Sequence, residues 1–388
     1  MKKQGKRRIA LAAAAMLLMA GSIPVPAQEA GGQAKSLAAE YLKARLEAQC
    51  PMASYETENP LLAVSSYTYD NAIAAMALMS EGESDTAFTI LNALSEGMDH
   101  DAEFQDRFRN AYMSGKATDL PGYWDDEKAT WIQDAYQVGS STKSSCAAAV
   151  ALLQYDQKTG TDEFLDTAVR AVDWVINNCT DQNSGFTSGY TGWLNAGEFT
   201  DLTYKTTADN LWMAAACEML AAATGWDKYS EAAQSARQFV TEDMYSAGDS
   251  RFFEGTKEDG ITPVTGLILT EPQALAVLCL DDDSGLDNLD SCRAQDGGYA
   301  YDNSNTEASW LEGSGMAALA FSRIGEEETA SQILAAMEQM QLPSGAFLQA
   351  EAEVTTGEAD MVLHDWPCVA ACAWYILAAN SSNPLMAG

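Results

Sequence analysis

The chain has 388 residues and carries 56 acidic against 22 basic side chains, a formal charge of −34. A surface that negative repels phosphate backbones and anionic headgroups, which excludes nucleic acid and membrane surfaces as partners. Nearly half of the residues are apolar and 9% are aromatic, which excludes disorder and suffices for a large core.

Residues 1–8 are basic, and 9–20 (IALAAAAMLLMA) form an apolar run too short to span a bilayer. The run leads into Val25-Pro26-Ala27, a small-residue cleavage pattern. Residues 1–27 therefore read as a signal peptide, with a faint twin-arginine character at Arg7-Arg8, and 28–388 as one exported domain. Removing the leader takes away five basic residues and no acid, so the charge deepens to −39. No later segment has the length and apolarity of a membrane helix, and the expected product is a soluble, secreted monomer. An exported chain with eight cysteines has room for one or two disulfides. Yet Cys146, Cys217, Cys279, Cys368 and Cys372 lie among Ala, Val, Leu and Trp on helical patterns, where cysteine acts as a small core hydrophobe.

From residue 36 onward the periodicity predicts helix pairs: 71–81 with 84–97, 144–158 with 162–177, 209–223 with 228–244, 273–281 with 285–292, and 312–324 with 327–340. A last helix at 367–379 is free to pair with the first, 36–49, and close a ring of six. Two of the turns, TGTDEF (159–164) and TGWDKY (224–229), are the same device, a glycine stopping one helix and an aspartate starting the next; Gly325-Glu326 repeats it. Connections within a pair are short. Those between pairs are long and carry Gly/aromatic clusters: SGFTSGYTGW (184–193), SRFFEGT (250–256), DGGYAYDN (296–303) and SGAFLQA (344–350). The first helix of each pair is apolar nearly all round, as in 210–223, and belongs inside; the second carries a polar stripe and belongs outside. The long-connection face then collects the inner-helix N-termini, and a cleft is expected there.

This pattern resembles the (α/α)6 toroid of the six-hairpin glycosidase superfamily, an all-α fold of six inner and six outer helices. The segments SYTYDNAIAAMAL (66–78), SWLEGSGMAALA (309–320) and AACAWYILAANSSNPL (370–385), with the turn repeats, are similar to secreted bacterial toroid proteins of glycan metabolism. The resemblance implies a carbohydrate cleft at the inner-helix N-termini with carboxylates as acid and base. It departs at YKTTADNLW (204–212), where Ala208 and Asp209 stand in place of a Glu-His pair.

Glycosidic hydrolysis needs one carboxylic acid for the leaving oxygen and one carboxylate for water or the anomeric carbon. Asp70, Asp209, Glu271, Glu312 and Asp365 stand at first turns of inner helices, where the helix dipole and capping also favour acids. Thr206-x-x-Asp209 and Ser309-x-x-Glu312 have capping-box spacing. Glu312 stands out as the general-acid candidate, because Trp310 beside it offers a face to a sugar and Gly313-Ser314-Gly315 leave room for one. Asp70 follows Tyr67 and Tyr69; Glu271 precedes Pro272 and Gln273, whose amide could bind a sugar hydroxyl. Further substrate contacts are expected from Tyr69, Tyr190, Trp193, His364 and Trp366.

Trp124-Asp125-Asp126 resembles the adjacent aspartates of mannan-cleaving toroid enzymes, and is equally a solvated acidic loop. Of the loop aromatics Tyr123, Trp124, Phe186, Tyr190, Trp193, Phe252, Tyr299, Tyr301 and Trp310, about half are expected to seal helices to loops. The run Asp281-Asp282-Asp283 lacks the glycine of a calcium loop, and neither a metal nor a cofactor is expected.

The favoured reading is a secreted glycoside hydrolase acting on a neutral glycan. A polysaccharide lyase or unsaturated-uronyl hydrolase would need basic groups at the rim, which offers only Lys205 and His364. A non-catalytic glycan-binding toroid is kept open by Ala208-Asp209. A terpene-cyclase-like or protein-interaction toroid fits an exported chain poorly.

Overall fold

Inner helices rich in alanine can approach one another closely, and this is what lets six of them close a ring. The computed structural model describes residues 27–101, 103–358 and 361–386; the expected leader, apart from Ala27, lies outside the described residues. The helices among these are α1 (Ala27–Ala48), α2 (Thr68–Ser80), α3 (Ser84–Asp99), α4 (Ala135–Val138), α5 (Thr142–Thr159), α6 (Leu165–Cys179) and α7 (Thr207–Thr224). They continue with α8 (Asp227–Gln238), α9 (Thr270–Leu280), α10 (Leu286–Leu289), α11 (Leu311–Arg323), α12 (Glu327–Gln339) and α13 (Val369–Ala379). Helices α2, α5, α7, α9, α11 and α13 pack in that order, and α13 returns to α2. Each has its outer partner (α3, α6, α8, α10, α12), and α1 packs on α13 to complete the sixth pair. The chain is thus an (α/α)6 toroid, with only small two- and three-stranded sheets in its loops.

The two rings differ as their sequences require. In α13 every residue from Val369 to Ala378 is buried, and in α7 every residue from Thr207 to Cys217. Outer helix α6 buries a stripe, Ala168, Ala171, Val172, Trp174, Val175 and Cys179, and leaves its other face to water. A Cβ at Gly315 in α11 would lie 2.9 Å from the backbone carbon of Trp374 in α13, so the glycine sets the distance between these helices.

The repeated turn is present, with Gly160 at φ 70° and Gly225 at φ 69° in the left-handed region. The aspartate's part in it differs from expectation. The backbone N–H of Phe164 is held by Asp156 (2.9 Å), from the preceding helix, and not by Asp162. Asp227 is the first residue of α8 and no side chain caps that helix. The cysteines also resolve differently from a disulfide framework: all eight are free thiols, seven of them buried. They sit as small core residues; Cys146 and Cys217 both contact the Met213 sulfur, at 3.4 and 3.8 Å. No helix among the described residues is long and apolar enough to cross a membrane.

Close packing at Gly315 gives a direct test. Gly315→Val should lower unfolding stability by about 1–3 kcal/mol through overpacking against α13, read from urea denaturation midpoints. An unchanged midpoint would show that the α11–α13 spacing is not set there.

Candidate active site

Long connections place the first turns of the inner helices around a cleft of about 480 Å³ on one face of the toroid. Its lining includes Tyr136 from α4, Lys143 from α5, Asp209 from α7 and Glu271 from α9, with Tyr204, Glu254, Tyr301 and Glu358 from the loops. Asp70 and Glu312, on the first turns of α2 and α11, lie beside this cleft and share its charges. Four of the expected carboxylates thus converge. Asp365 does not join them; it is exposed in the loop before α13.

At the centre stands a cation that the pattern of first-turn acids did not suggest. Lys143 forms an ion pair with Glu271, and its ammonium lies 4.4 Å from the centre of the Tyr69 ring. Its backbone N–H donates to Asp209 Oδ1 (2.8 Å). Burial opposes the charge on Lys143, but Glu271 and Glu312 outweigh it and hold the ammonium above its usual range. Lys205, the base expected at the rim, is instead buried, donating to the Ser184 carbonyl at 2.8 Å and lying near Asp181 at 3.4 Å.

The carboxyls differ in what holds them. Asp209 accepts from Ser188 Oγ (2.5 Å), Thr206 Oγ1 (2.6 Å) and the Lys143 N–H, so its acceptor capacity is largely filled. Its capping pair is formed as expected, Thr206 Oγ1 accepting from the Asp209 N–H at 2.9 Å. Asp70 is nearly buried, accepts from Ser54, and has no partner among the described residues for Oδ2; burial pushes it up to about 6. Glu312 is only partly buried. Burial pushes it up to about 8, Lys143 opposes the rise, and Asp70 and Glu271 add to it. The Tyr69 hydroxyl bonds Glu312 and accepts the Trp374 indole N–H at 3.1 Å.

Glu312 is not part of a capping box. Trp310, not Ser309, occupies the N-cap, and the Ser309 hydroxyl goes to Asp296. The small residues after it have a packing role. A Cβ at Gly313 would meet the Trp310 ring at 2.2 Å, and Ser314 Oγ accepts from the Tyr299 N–H at 2.8 Å. Trp310 is therefore buried under its own helix and against Tyr301, where a sugar cannot stack on it. Gln273 is likewise removed from substrate: fully buried, it accepts from the Phe252 N–H (2.9 Å) and donates to the Phe252 carbonyl (2.8 Å).

Tyr190 is buried between Trp174 and the Arg107 guanidinium, away from the cleft lining. Together with Phe186, Phe252, Tyr299 and Trp310 it seals helices to loops. Asp125 holds a turn, accepting from the backbone of Glu127 and Lys128 (3.0 Å each), while Trp124 stands in solvent. Trp193 is partly exposed and donates to Gln133 at 3.3 Å. His364 stacks on Trp366 (3.8 Å, 7°) and meets Glu353 at 3.1 Å; Trp366 meets the edge of Tyr55. Tyr55 packs on Tyr67, which packs on cleft-lining Tyr136, so one aromatic wall runs from Trp366 to the cleft.

Sequence reading also missed Glu254 and Glu358, which bond each other in the cleft. Burial pushes Glu254 up to about 7, with the Glu358 charge adding, and Tyr301 donates to Glu358 at 3.0 Å. Glu254 lies in the Gly/aromatic segment 250–256, a signal that was available.

The rise at Glu312 carries a stability consequence with a definite sign. Between its ordinary value of 4.5 and about 8 the folded state binds more protons than the unfolded one, so stability falls as pH rises through that window. Glu312→Gln should therefore raise the urea midpoint at pH 8.5 relative to wild type and change it little at pH 4.5, a range set by the same shift. Equal effects at both pH values would place the Glu312 proton outside this window.

No protein-family model matches the sequence, and no curated protein matches it. Solved structures do resemble the chain. A glycosidase variant in complex with glucose superposes with a TM-score of 0.65 at 10% identity, over 93% of this chain and 98% of that one. The cellobiose 2-epimerase of Spirochaeta thermophila DSM 6192 gives 0.65 at 15% identity, over 93% and 99%. A sugar epimerase from a ruminal bacterium gives 0.61 at 14%, over 90% and 98%. The ring order of the helices and these superpositions agree: the chain has the (α/α)6 toroid fold that these glycosidase and epimerase structures share.

Proposed function

We propose that the chain is an exported glycoside hydrolase acting on a neutral glycan, with Glu312 as general acid and Asp70 as general base. The observation that carries this reading is the convergence of Asp70, Asp209, Glu271 and Glu312 on Lys143, in a fold shared with glycosidases. Glu312, pushed up to about 8, holds its proton at neutral pH and can deliver it to a leaving oxygen. Asp70, at about 6, is ionised there, and its Oδ2, buried and without a partner among the described residues, is the oxygen proposed to take a proton from a water admitted with the substrate. Asp209 and Glu271 are engaged by Ser188, Thr206 and Lys143, and act by fixing that lysine. The acid-lined cleft disfavours uronate substrates, since Lys143 is already paired.

The test is reducing-sugar release from a panel of neutral polysaccharides and oligosaccharides. Glu312→Gln and Asp70→Asn should each lower kcat by about 10²–10⁴-fold while glycan binding persists. Activity of the wild type should rise as Asp70 ionises near pH 6 and fall as Glu312 loses its proton near pH 8. Full activity in both variants would overturn the assignment, and binding without turnover would make the chain a glycan-binding toroid. Because cellobiose 2-epimerases share the fold, products are also examined by NMR; a C2-epimerised sugar with no new reducing end would replace hydrolysis by epimerisation.

Lys143 lowers the proton affinity of both Asp70 and Glu312. In Lys143→Met both limbs of the pH profile should therefore move to higher pH, measured as kcat/KM on the best substrate of the panel. Limbs that stay in place would remove Lys143 from the electrostatics of the pair.

A further inference from the structure

Two indoles stand in solvent on one hairpin, formed by Tyr123–Asp125 and Thr130–Ile132. Trp124 and Trp131 are 55% and 47% exposed. They are direct cross-strand partners, so their rings lie on the same face. Trp226, exposed to a similar degree, is covered by Tyr229 and Lys228, and neither Trp124 nor Trp131 has such a cover among the described residues.

The hairpin is built to hold these rings still. Asp125 pins its turn through two backbone N–H groups and an ion pair with Lys128 at 3.0 Å. At Gly122 a Cβ would lie 2.4 Å from Trp131 Nε1, so the indole is seated against the glycine backbone.

The pair is continuous with the cleft. Gln133, directly after the hairpin, accepts the Trp193 indole N–H at 3.3 Å. In the hairpin of Gly189–Trp193 with Glu198–Leu202 the pairing is Gly189 to Leu202 and Trp193 to Glu198. Alternation along these strands puts Trp193 on the face of Leu202, which lines the cleft, about 13 Å away along the strand. Three residues beyond Gln133, Tyr136 lines the cleft itself.

We propose that Trp124, Trp131 and Trp193 form an accessory surface that binds a neutral glycan strand running out of the cleft, so that the protein engages polymers as well as short sugars. The inference rests on the carbohydrate reading above. Sugar rings present flat C–H faces that stack on indoles. Lys128 and Asp125 neutralise each other, and the flanking Asp126, Glu127 and Glu198 repel a uronate chain and leave a neutral one as the occupant.

The experiment is native electrophoresis in gels containing barley mixed-linkage glucan, galactomannan or arabinoxylan. It compares wild type, Glu312→Gln, Trp131→Tyr and the double variant Trp124→Ala/Trp131→Ala. At least one polymer should slow the wild type, and Glu312→Gln should be slowed equally. The double variant should bind about tenfold more weakly, while Trp131→Tyr keeps most of the retention and shows that a ring, not the fold, was lost. Retention without reducing-end release would fail the hydrolase reading and leave this surface standing. Equal retention of wild type and double variant, or no retention of the wild type by any polymer, would overturn it. So would a dimer in sedimentation velocity that the double variant dissolves, since the occupant would then be a second copy of the chain.

Discussion

One ammonium among four carboxyl groups is the constraint on which the upper face of this toroid depends. Five of the six inner helices bring a charged side chain on their first turn to the centre: Asp70, Lys143, Asp209, Glu271 and Glu312. Each helix N-terminus carries a partial positive charge, which suits the four acids and disfavours the lysine. Lys143 is retained there because the acids around it would otherwise repel one another in a poorly hydrated site. Its ammonium takes Glu271, its backbone takes Asp209, and its position over Tyr69 links it to the ring that bonds Glu312. Four inner helices are tied to the first turn of a fifth by that arrangement.

The rings of the toroid were legible because they rest on local rules. Helices that are apolar all round go inside, striped helices go outside, and a left-handed glycine joins them, as at Gly160 and Gly225. The last helix, free to pair with the first in the sequence, does so, α1 packing on α13. The site was legible only in outline. Acids at first turns mark a rim, yet the neighbours that single out Glu312, Trp310 and Gly313-Ser314-Gly315, serve packing, and what separates it from the triply bonded Asp209 is contacts from other segments of the chain. Residues that look alike as polar or aromatic rim groups part company only in three dimensions. Gln273 satisfies the backbone of Phe252, and Trp310 fills the space left by Gly313. Lys143 sits just ahead of a helix expected to begin at Ser144, and a cation there reads as a solvated flank until its long-range partner on α9 is known.

Raised carboxyl groups oppose folding at neutral pH, and the toroid offsets that cost with the apolar packing of its inner ring. The inner helices α2 and α13 are buried over nearly their whole length and α7 from Thr207 to Cys217; Asp70 and Asp209 stand on first turns, Glu218 of α7 pairs with Arg237 at the outer side, and α13 carries no charge. Burial of Asp70 and Glu312 is what separates them from ordinary carboxylates, and it separates them by different amounts because Glu312 feels two neighbouring acids as well. Two carboxyls whose proton affinities lie on either side of neutrality are what the proposed acid and base require, without a histidine.

Charge also decides how a sugar could be held. Among the described residues the cleft lining offers a single cation, and Glu271 already takes it. A glycan can therefore gain little from salt bridges. What remains is stacking on rings and hydrogen bonds to the hydroxyls, for which the carboxylates are acceptors. The structure places rings on two sides, from Trp366 through Tyr55 and Tyr67 to Tyr136, and at Trp193 beyond Leu202. An acid floor with aromatic walls would favour many hydroxyls, a flat apolar face and no negative charge, which is why the proposed substrate is a neutral glycan.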